Sequence, residues 1–395
     1  MGDTDNGGVP GDRPTSPAPW RLPRQFAPEL VRMLLRTPPP PAPGDPEPTA
    51  EEIADQNIAQ QEVIQEVISE VEREMVVDRE YRFKVWRLAG LGLLIVVTIA
   101  VAVGRLLIGG PPTVAELRAQ AGVDTWTELR IGVKDDQFGT AYYDPATKQW
   151  SGFDIDVAYM IAEDLGFRRS DVRFYGLESE DRARMQAADP AEANQRVSVQ
   201  LVIASYSITP EREAMTGVTF SQGYLDTEQS VIALKGHPPI SALEDLKGKR
   251  VCTLSTATSR SALDNFGAIV TQKNRVRECF AAMDAGQVEA ISTDAAILAG
   301  WKWKFPDKYS HFDLGVHTTE RWGVNVGENA ALKELVDLTL YRSWADPEDN
   351  RWEEAFEDNF QVEVEANENT PIAVGEQPPV ARPDVRWMPW EDPLG

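Results

Sequence analysis

Arg212 stands where helix energetics do not ask for a cation. Thr209-Pro210-Glu211 opens a helix, with Thr as N-cap and Pro at the first helical position. A positive charge in that first turn opposes the helix dipole. An anion held at the helix start accounts for it, because a guanidinium beside free N–H groups binds a carboxylate at two points. The alternative is a surface arginine paired with Glu211 or Glu213. Leu201-Val-Ile-Ala204 just before it is a short apolar run ended by turn chemistry, the pattern of a buried parallel strand. It opens into small hydroxyl residues, Ser205, Ser207 and Thr209. A charge of opposite sign, Asp294, ends a later strand, Val288-Glu-Ala-Ile-Ser-Thr-Asp294. The three histidines, His237, His311 and His317, have no metal-binding spacing, and no zinc site or cofactor site is expected. The two cysteines, Cys252 and Cys279, exclude a Cys-rich metal domain and a disulfide-framework miniprotein.

These residues must be carried by more than one folded unit, since 395 residues exceed one compact domain. A net charge of −24 and a pI near 4.6 argue against nucleic-acid binding, which needs a basic footprint. Leu129–Val133 reads as a strand leading into a polar loop, Lys134–Gly139. Gly152–Gly166 reads as an amphipathic helix with a Gly stop. Val172–Tyr175 is a second strand, Asp181–Ala188 a helix, and Leu201 starts a third strand. This βαβαβ order predicts a doubly wound parallel sheet with its ligand site beyond the carboxyl ends of the strands. Gln229–Lys235 reads as a strand crossing to a second lobe. There Arg250–Leu254, Arg275–Arg277 and Val288–Asp294 are strands, with helices after Ser259 and over 279–285. Glu320–Val326 reads as a strand returning to lobe one, followed by helices over 330–343 and 348–360.

The N-terminal part differs in kind. Residues 1–48, rich in Pro, Gly and Asp, cannot bury a core and are expected to be disordered. Trp20–Leu35 is at most a marginal amphipathic helix. Thr49-Ala-Glu-Glu52 is a capping box, and no Pro or Gly follows until after Lys84, so 49–85 reads as an amphipathic helix, with Ile64, Val67, Val71 and Met75 on one face. Residues 86–108 have the length and apolarity of one transmembrane helix. Arg79, Arg82, Lys84 and Arg87 put its N-terminal side in the cytoplasm and residues after 110 outside. A cleaved signal ending at Ala100-Val-Ala102 is the competing reading; the long charged region before it opposes that. Residues 361–395 are acidic and Pro-rich and read as a loose tail.

Gly152-Phe-Asp-Ile-Asp156, Leu201-Val-Ile-Ala204 with Ser207-Ile-Thr-Pro-Glu-Arg212, Phe220-Ser-Gln-Gly-Tyr224, Leu246-Lys-Gly-Lys249 and Ala285–Asp294 occur in one order. In these the chain, over roughly residues 125–360, resembles extracellular solute-binding proteins of the polar amino acid ABC-transporter type. The resemblance implies a periplasmic-binding-protein-like type II fold, two α/β lobes joined by two hinge strands. Lobe one would comprise 124–232 and 319–360, and lobe two 233–318. It implies Arg212 and Thr258 on the ligand α-carboxylate, and Asp294, the Ser205 carbonyl and the Ser207 hydroxyl on the ammonium. It also implies Asp135 and Phe138 as the polar and aromatic wall, and Arg182 on a side-chain carboxylate. The chain departs from the family at Leu254–Ala257, where a Gly is common, and at Gln200, where Asp is usual.

A zwitterion leaving water needs both its charges paired. Arg212 and Asp294 offer the two signs from opposite lobes, so full pairing requires closure. The expectation is a binding protein rather than an enzyme: a membrane-anchored extracellular receptor for an acidic amino acid, glutamate ahead of aspartate. Its partner is an ABC permease, or a cytoplasmic signalling protein engaged by the N-terminal helix. An enzyme on the same fold is the alternative. Cys252 and Cys279 fall in the outside portion, where an oxidising compartment favours a disulfide between them. Trp301 and Trp303 read as packing in lobe two.

Overall fold

The computed structural model describes residues 49–107, 110–190, 192, 195–314, 319–361 and 377–386. The disordered region and short helix expected within 1–48, and most of the C-terminal tail, lie outside these residues, as does His317.

Helix α1 (Ala50–Leu107) runs unbroken for 58 residues. At its start the Thr49 N–H and hydroxyl both donate to Glu52 Oε2, at 3.0 and 3.2 Å, which is the glutamate half of the expected capping box. The amphipathic helix and the apolar span, read as separate segments, form one helix. Its stretch Tyr81–Gly104, 24 residues, is long and apolar enough to cross a bilayer by length and composition. At 1.5 Å per residue that is about 36 Å, against ~30 Å of hydrocarbon. The large apolar side chains from Leu88 to Val103 are exposed.

The second unit begins with α2 (Val114–Ala121), whose Thr113–Glu116 capping box went unread in the sequence. Then come β1 (Leu129–Val133), the small meander β2 (Asp136–Gln137), β3 (Ala141–Asp144) and β4 (Gln149–Ser151), α3 (Phe153–Asp164) and β5 (Val172–Gly176). Gly152, which admits α3, has φ +121°, and a Cβ there would meet the Thr140 carbonyl oxygen at 2.5 Å. Only glycine fits.

The helix expected over 181–188 is instead a 3-10 turn, Ser179–Arg184, followed by β6 (Gln186–Ala188), which pairs with β7 (Arg196–Ser198). Met185, at φ +52°, breaks the helical path. The strand conformation lets Ala187 pack against Leu177, Val199 and Val202. After β8 (Leu201–Val202) and the single turn α4 (Pro210–Glu213), β9 (Phe220–Leu234) crosses into lobe two. That lobe holds β10 (Arg250–Leu254), α5 (Ser259–Asn265), β11 (Ile269–Lys273), α6 (Val276–Asp284), β12 (Ala290–Asp294), α7 (Ala295–Lys304) and β13 (Tyr309–Asp313). The strand read at 275–277 is therefore misplaced. Arg275 is the N-cap of α6, its N–H donating to Glu278, and the ladder with β10 runs from Ile269 to Lys273. β14 (Thr319–Asn325) returns to lobe one, followed by α8 (Ala330–Ala345) and α9 (Arg351–Phe356).

One mixed sheet runs through both lobes in the order β11-β10-β12-β9-β14-β8-β1-β5. β8, β1 and β5 are parallel in lobe one, and β11, β10 and β12 are parallel in lobe two. The two crossing strands β9 and β14 pair antiparallel between them. Both parallel sets therefore point their carboxyl ends at the junction, as doubly wound sheets do at a ligand crevice.

Residues 377–386, read as part of a loose tail, lie extended against lobe one with Val380 and Val385 buried. Ala381 exchanges hydrogen bonds with the Gln222 side chain at 2.6 and 2.7 Å, and the Arg386 N–H donates to the Pro112 carbonyl at 3.0 Å.

Cys252 on β10 and Cys279 on α6 form a disulfide, closing a loop over a separation of 27 residues. Chain entropy assigns such a loop about 3.5 kcal/mol. The double variant C252S/C279S is expected to lose about 3 kcal/mol of unfolding free energy in denaturant titrations; a loss below about 1 kcal/mol would overturn this.

Candidate functional site

The carboxyl ends of β1, β8 and β12 meet where the strands cross. Ser205 follows β8 in the left-handed region, at φ +49°. The cause is a set of buried partners: its N–H donates to Asp154 Oδ2 at 3.1 Å, and its hydroxyl donates to Gln137 Oε1 at 2.7 Å. Asp154 is fully buried in the first turn of α3 and also accepts from the Tyr224 hydroxyl at 2.9 Å. Burial pushes its carboxyl up to about 7. The Gln137 amide nitrogen is buried without a hydrogen-bond partner among the described residues.

The conformation of Ser205 turns its carbonyl toward Arg182, which donates to it at 2.9 Å. Arg182 also donates to the carbonyl of Ser179 at 3.1 Å and to the Thr256 hydroxyl of lobe two at 3.2 Å. Arg212 donates to the Ser207 carbonyl and, across the cleft, to the Thr256 carbonyl, both at 2.6 Å. Its helix start is as expected, with the Thr209 hydroxyl accepting from the Arg212 N–H. The two guanidiniums share the ring of Tyr206, at 4.6 and 4.8 Å from its centre. They are 4% and 6% exposed. Every hydrogen-bond partner described for them is a carbonyl or hydroxyl oxygen, and neither forms an ion pair with a carboxylate among the described residues. Burial, then the neighbouring Arg212, lowers Arg182 to about 10; burial also lowers Arg212.

Asp294 ends β12 as expected, buried, and accepts from the Trp322 indole N–H of β14 at 2.6 Å. Burial, then the charge of Glu320, pushes it up to about 7 against the pull of Trp322 and both arginines. Arg182, Ser205, Ser207, Arg212 and Asp294 are thus gathered at one junction. The other three expected residues have different surroundings. Asp135 pairs with Arg275 and, at 3.8 Å, with Arg277 of lobe two. Phe138 packs on Tyr142 of its own lobe and Trp301 of lobe two, with ring centres 4.4 and 5.0 Å apart. Thr258 makes no side-chain cap bond. Thr256, two residues earlier at φ +60°, is the lobe-two residue bonded to both arginines. It lies within the stretch where a Gly is common in the resembled family, and a left-handed residue explains that preference. Gln200, the other departure, accepts from the Arg130 N–H at 2.8 Å and so ties the loop before β8 to β1.

Sequence reasoning missed Lys134, Asp154, Tyr206 and Trp322. Lys134 is 1% exposed, and burial lowers it to about 8. Its only sequence signal is a cation ending a buried strand. Trp301 is stacked on Phe280 at 3.9 Å, as packing predicts, while Trp303 is 44% exposed.

Chemically, the junction presents two buried cations and one poised acid, each on a separate segment. It suits a small molecule bearing more than one anionic oxygen and one cationic nitrogen. No group of His, Cys, Asp and Glu side chains fit to hold a metal occurs among the described residues.

Residues 129–357 match the family of bacterial extracellular solute-binding proteins, family 3. The chain is 28% identical over 259 residues to the ABC transporter glutamine-binding protein GlnH of Bacillus subtilis (strain 168), covering 64% of this chain and 89% of that protein. It is 26% identical over 278 residues to the membrane-bound lytic murein transglycosylase F of Ectopseudomonas mendocina (strain ymp), covering 69% of this chain but 53% of that protein. Among solved structures it is similar to an ancestral arginine-binding protein bound to glutamine, at 26% identity and a TM-score of 0.51, covering 60% of this chain and 98% of that one. The fold is the periplasmic-binding-protein-like type II arrangement.

Asp154→Ala would leave the Tyr224 hydroxyl and the Ser205 N–H buried without partners. At about 1–3 kcal/mol for each of the two orphaned donors, it is expected to cost roughly 2–6 kcal/mol in denaturant unfolding; an unchanged midpoint would overturn that assignment.

Proposed function

The chain belongs to the bacterial extracellular solute-binding proteins of family 3, and from that premise we propose that it is a membrane-anchored receptor closing on an acidic amino acid. Glutamate is favoured over aspartate, and the receptor serves an ABC importer. The observation that carries the acidic ligand is the pair of buried guanidiniums, Arg182 and Arg212, bonded to neutral oxygens alone. A buried cation without a directly bonded carboxylate costs several kcal/mol, and a ligand with two carboxylates offsets that cost twice.

In this reading Arg212 takes the α-carboxylate, with Thr258 at the lobe-two helix start. Arg182 takes the side-chain carboxylate. Asp294, the Ser205 carbonyl and the Ser207 hydroxyl receive the ammonium, and Asp135 and Phe138 wall the cleft. The arginines and serines come from lobe one and the acid from lobe two, so the zwitterion is fully paired only when the lobes meet. Binding then favours the closed arrangement by its differential contacts.

Stretch 81–104 of α1 would be the anchor, with residues before it in the cytoplasm and the lobes outside. The unbroken course of α1 from Ala50 to Leu107 favours a second reading, in which ligand occupancy is reported inward to a cytoplasmic partner. A pull-down with residues 1–85 that recovers no cytoplasmic partner would count against it. The similarity to the transglycosylase spans about half of that enzyme and brings no catalytic role to the residues named here.

Calorimetry on the full chain in detergent is expected to give tighter binding of glutamate than of glutamine, aspartate or arginine. Arg182→Ala should reduce the glutamate-to-glutamine affinity ratio by about tenfold, one charge-assisted bidentate pair; an unchanged ratio sinks its role. The pH dependence follows from Asp294. Its pKa is about 7 without ligand, and an ammonium beside it lowers that value. Binding therefore releases a proton below about 7, and affinity should climb from about pH 5 to about 7 and then level off. Affinity that falls over that range would exclude Asp294 as the ammonium partner.

A further inference from the structure

The loop leaving β1 meets lobe two along most of its length. Asp135 pairs with Arg275 and Arg277. Asp136 accepts from the Arg277 N–H at 2.9 Å through its side chain, and from the Trp301 indole at 3.2 Å through its carbonyl. Phe138 faces Trp301. At the head of this seam is Lys134, among the largest fully buried side chains of the molecule.

Burying an ammonium is costly unless its donors are matched. The Nζ of Lys134 donates to the Leu177 carbonyl at 3.3 Å, the Ser179 hydroxyl at 3.1 Å and the Asn274 carbonyl at 3.3 Å. The first two acceptors belong to lobe one and the third to lobe two, so the set is complete only with the lobes together. Asn274 is shared further: its carbonyl accepts from the Ser179 N–H at 3.3 Å and hydroxyl at 3.1 Å, and its amide donates to Glu178 at 3.2 Å. Ser179 opens the 3-10 turn that carries Arg182, and the Ser179 carbonyl accepts from Arg182 and from Thr256.

We propose that Lys134 is a positioning residue for closure: its ammonium fastens the Arg182 turn to the Asn274 carbonyl of lobe two, and it does so without touching the ligand. The proposal rests on the junction being the amino-acid site. It separates two tasks that adjacent cations could share. Arg182 reads the ligand, whereas Lys134 holds the lobes shut around whatever Arg212 and Asp294 have captured. A residue acting in this way leaves first encounter alone and slows escape, for every ligand by the same factor.

The test is binding kinetics on the full chain in detergent, with glutamate and glutamine as probes, comparing wild type with Lys134→Met. The dissociation rate is expected to rise about tenfold for both ligands, with association rates within about threefold of wild type. The glutamate-to-glutamine affinity ratio should stay as in wild type, unlike that of Arg182→Ala. Ser179→Ala keeps the ammonium and removes one of its acceptors. It should move the dissociation rates in the same direction by a smaller factor, and it carries the test should Lys134→Met fail to fold. Unchanged dissociation rates in the folded variants would overturn the proposal, as would a fall in the glutamate preference, which would place Lys134 against the ligand. A wild-type chain that binds neither probe would instead overturn the amino-acid reading on which the proposal stands.

Discussion

Two guanidiniums sharing one tyrosine ring, both withdrawn from water and neither bonded to a carboxylate among the described residues, set the constraint on this molecule. Like charges in such a place repel and resist desolvation. They persist because the surrounding backbone over-determines them. Ser205 is held in the left-handed region so that its carbonyl can accept from Arg182. Ser207 and Thr256 turn carbonyls onto Arg212. Asp154, Tyr224 and Gln137 fix Ser205 in turn. Stability is given up at the junction and recovered in the apolar layers beneath it.

Much of this was legible in the sequence. Periodicity and turn chemistry located β1, α3, β5, β10 and the return strand β14, because each carries its own apolar pattern and its own stop. Arg212 declared itself by standing against a helix dipole, and Asp294 by ending a strand with a charge. What stayed hidden depends on contacts far along the chain. The segment after Ser179 has helical composition, but Ala187 gains a buried position only as a strand against Val199 and Val202. Arg275–Arg277 is a local exception: Arg275 is not a usual N-cap residue, so the helix start that Glu278 completes three residues on is not marked by type. Lys134 could not be recognised, since its acceptors lie 43 to 140 residues away. Thr256 had no signal of its own, because nothing in Ser255–Thr258 marks which hydroxyl residue takes the left-handed turn that faces both arginines.

The crossing strands are where the proposed closure would bend. β9 and β14 belong to both halves of the sheet, and their register shifts around Gly323. A ladder interrupted there has fewer bonds to strain when the lobes swing. At the seam the lobes meet through side-chain bonds and ion pairs, which water can replace, together with the Phe138–Trp301 ring contact and the backbone bond from Ser179 to Asn274.

The extended segment 377–386 brings the Arg386 N–H to the Pro112 carbonyl at 3.0 Å, so the first and last described parts of the two-lobed unit adjoin. A domain whose ends adjoin behaves as a removable cassette. It can be spliced into a surface loop of another protein with short linkers, or its ends can be joined and new ones cut elsewhere. Neither manipulation needs to disturb the strands that cross between its halves.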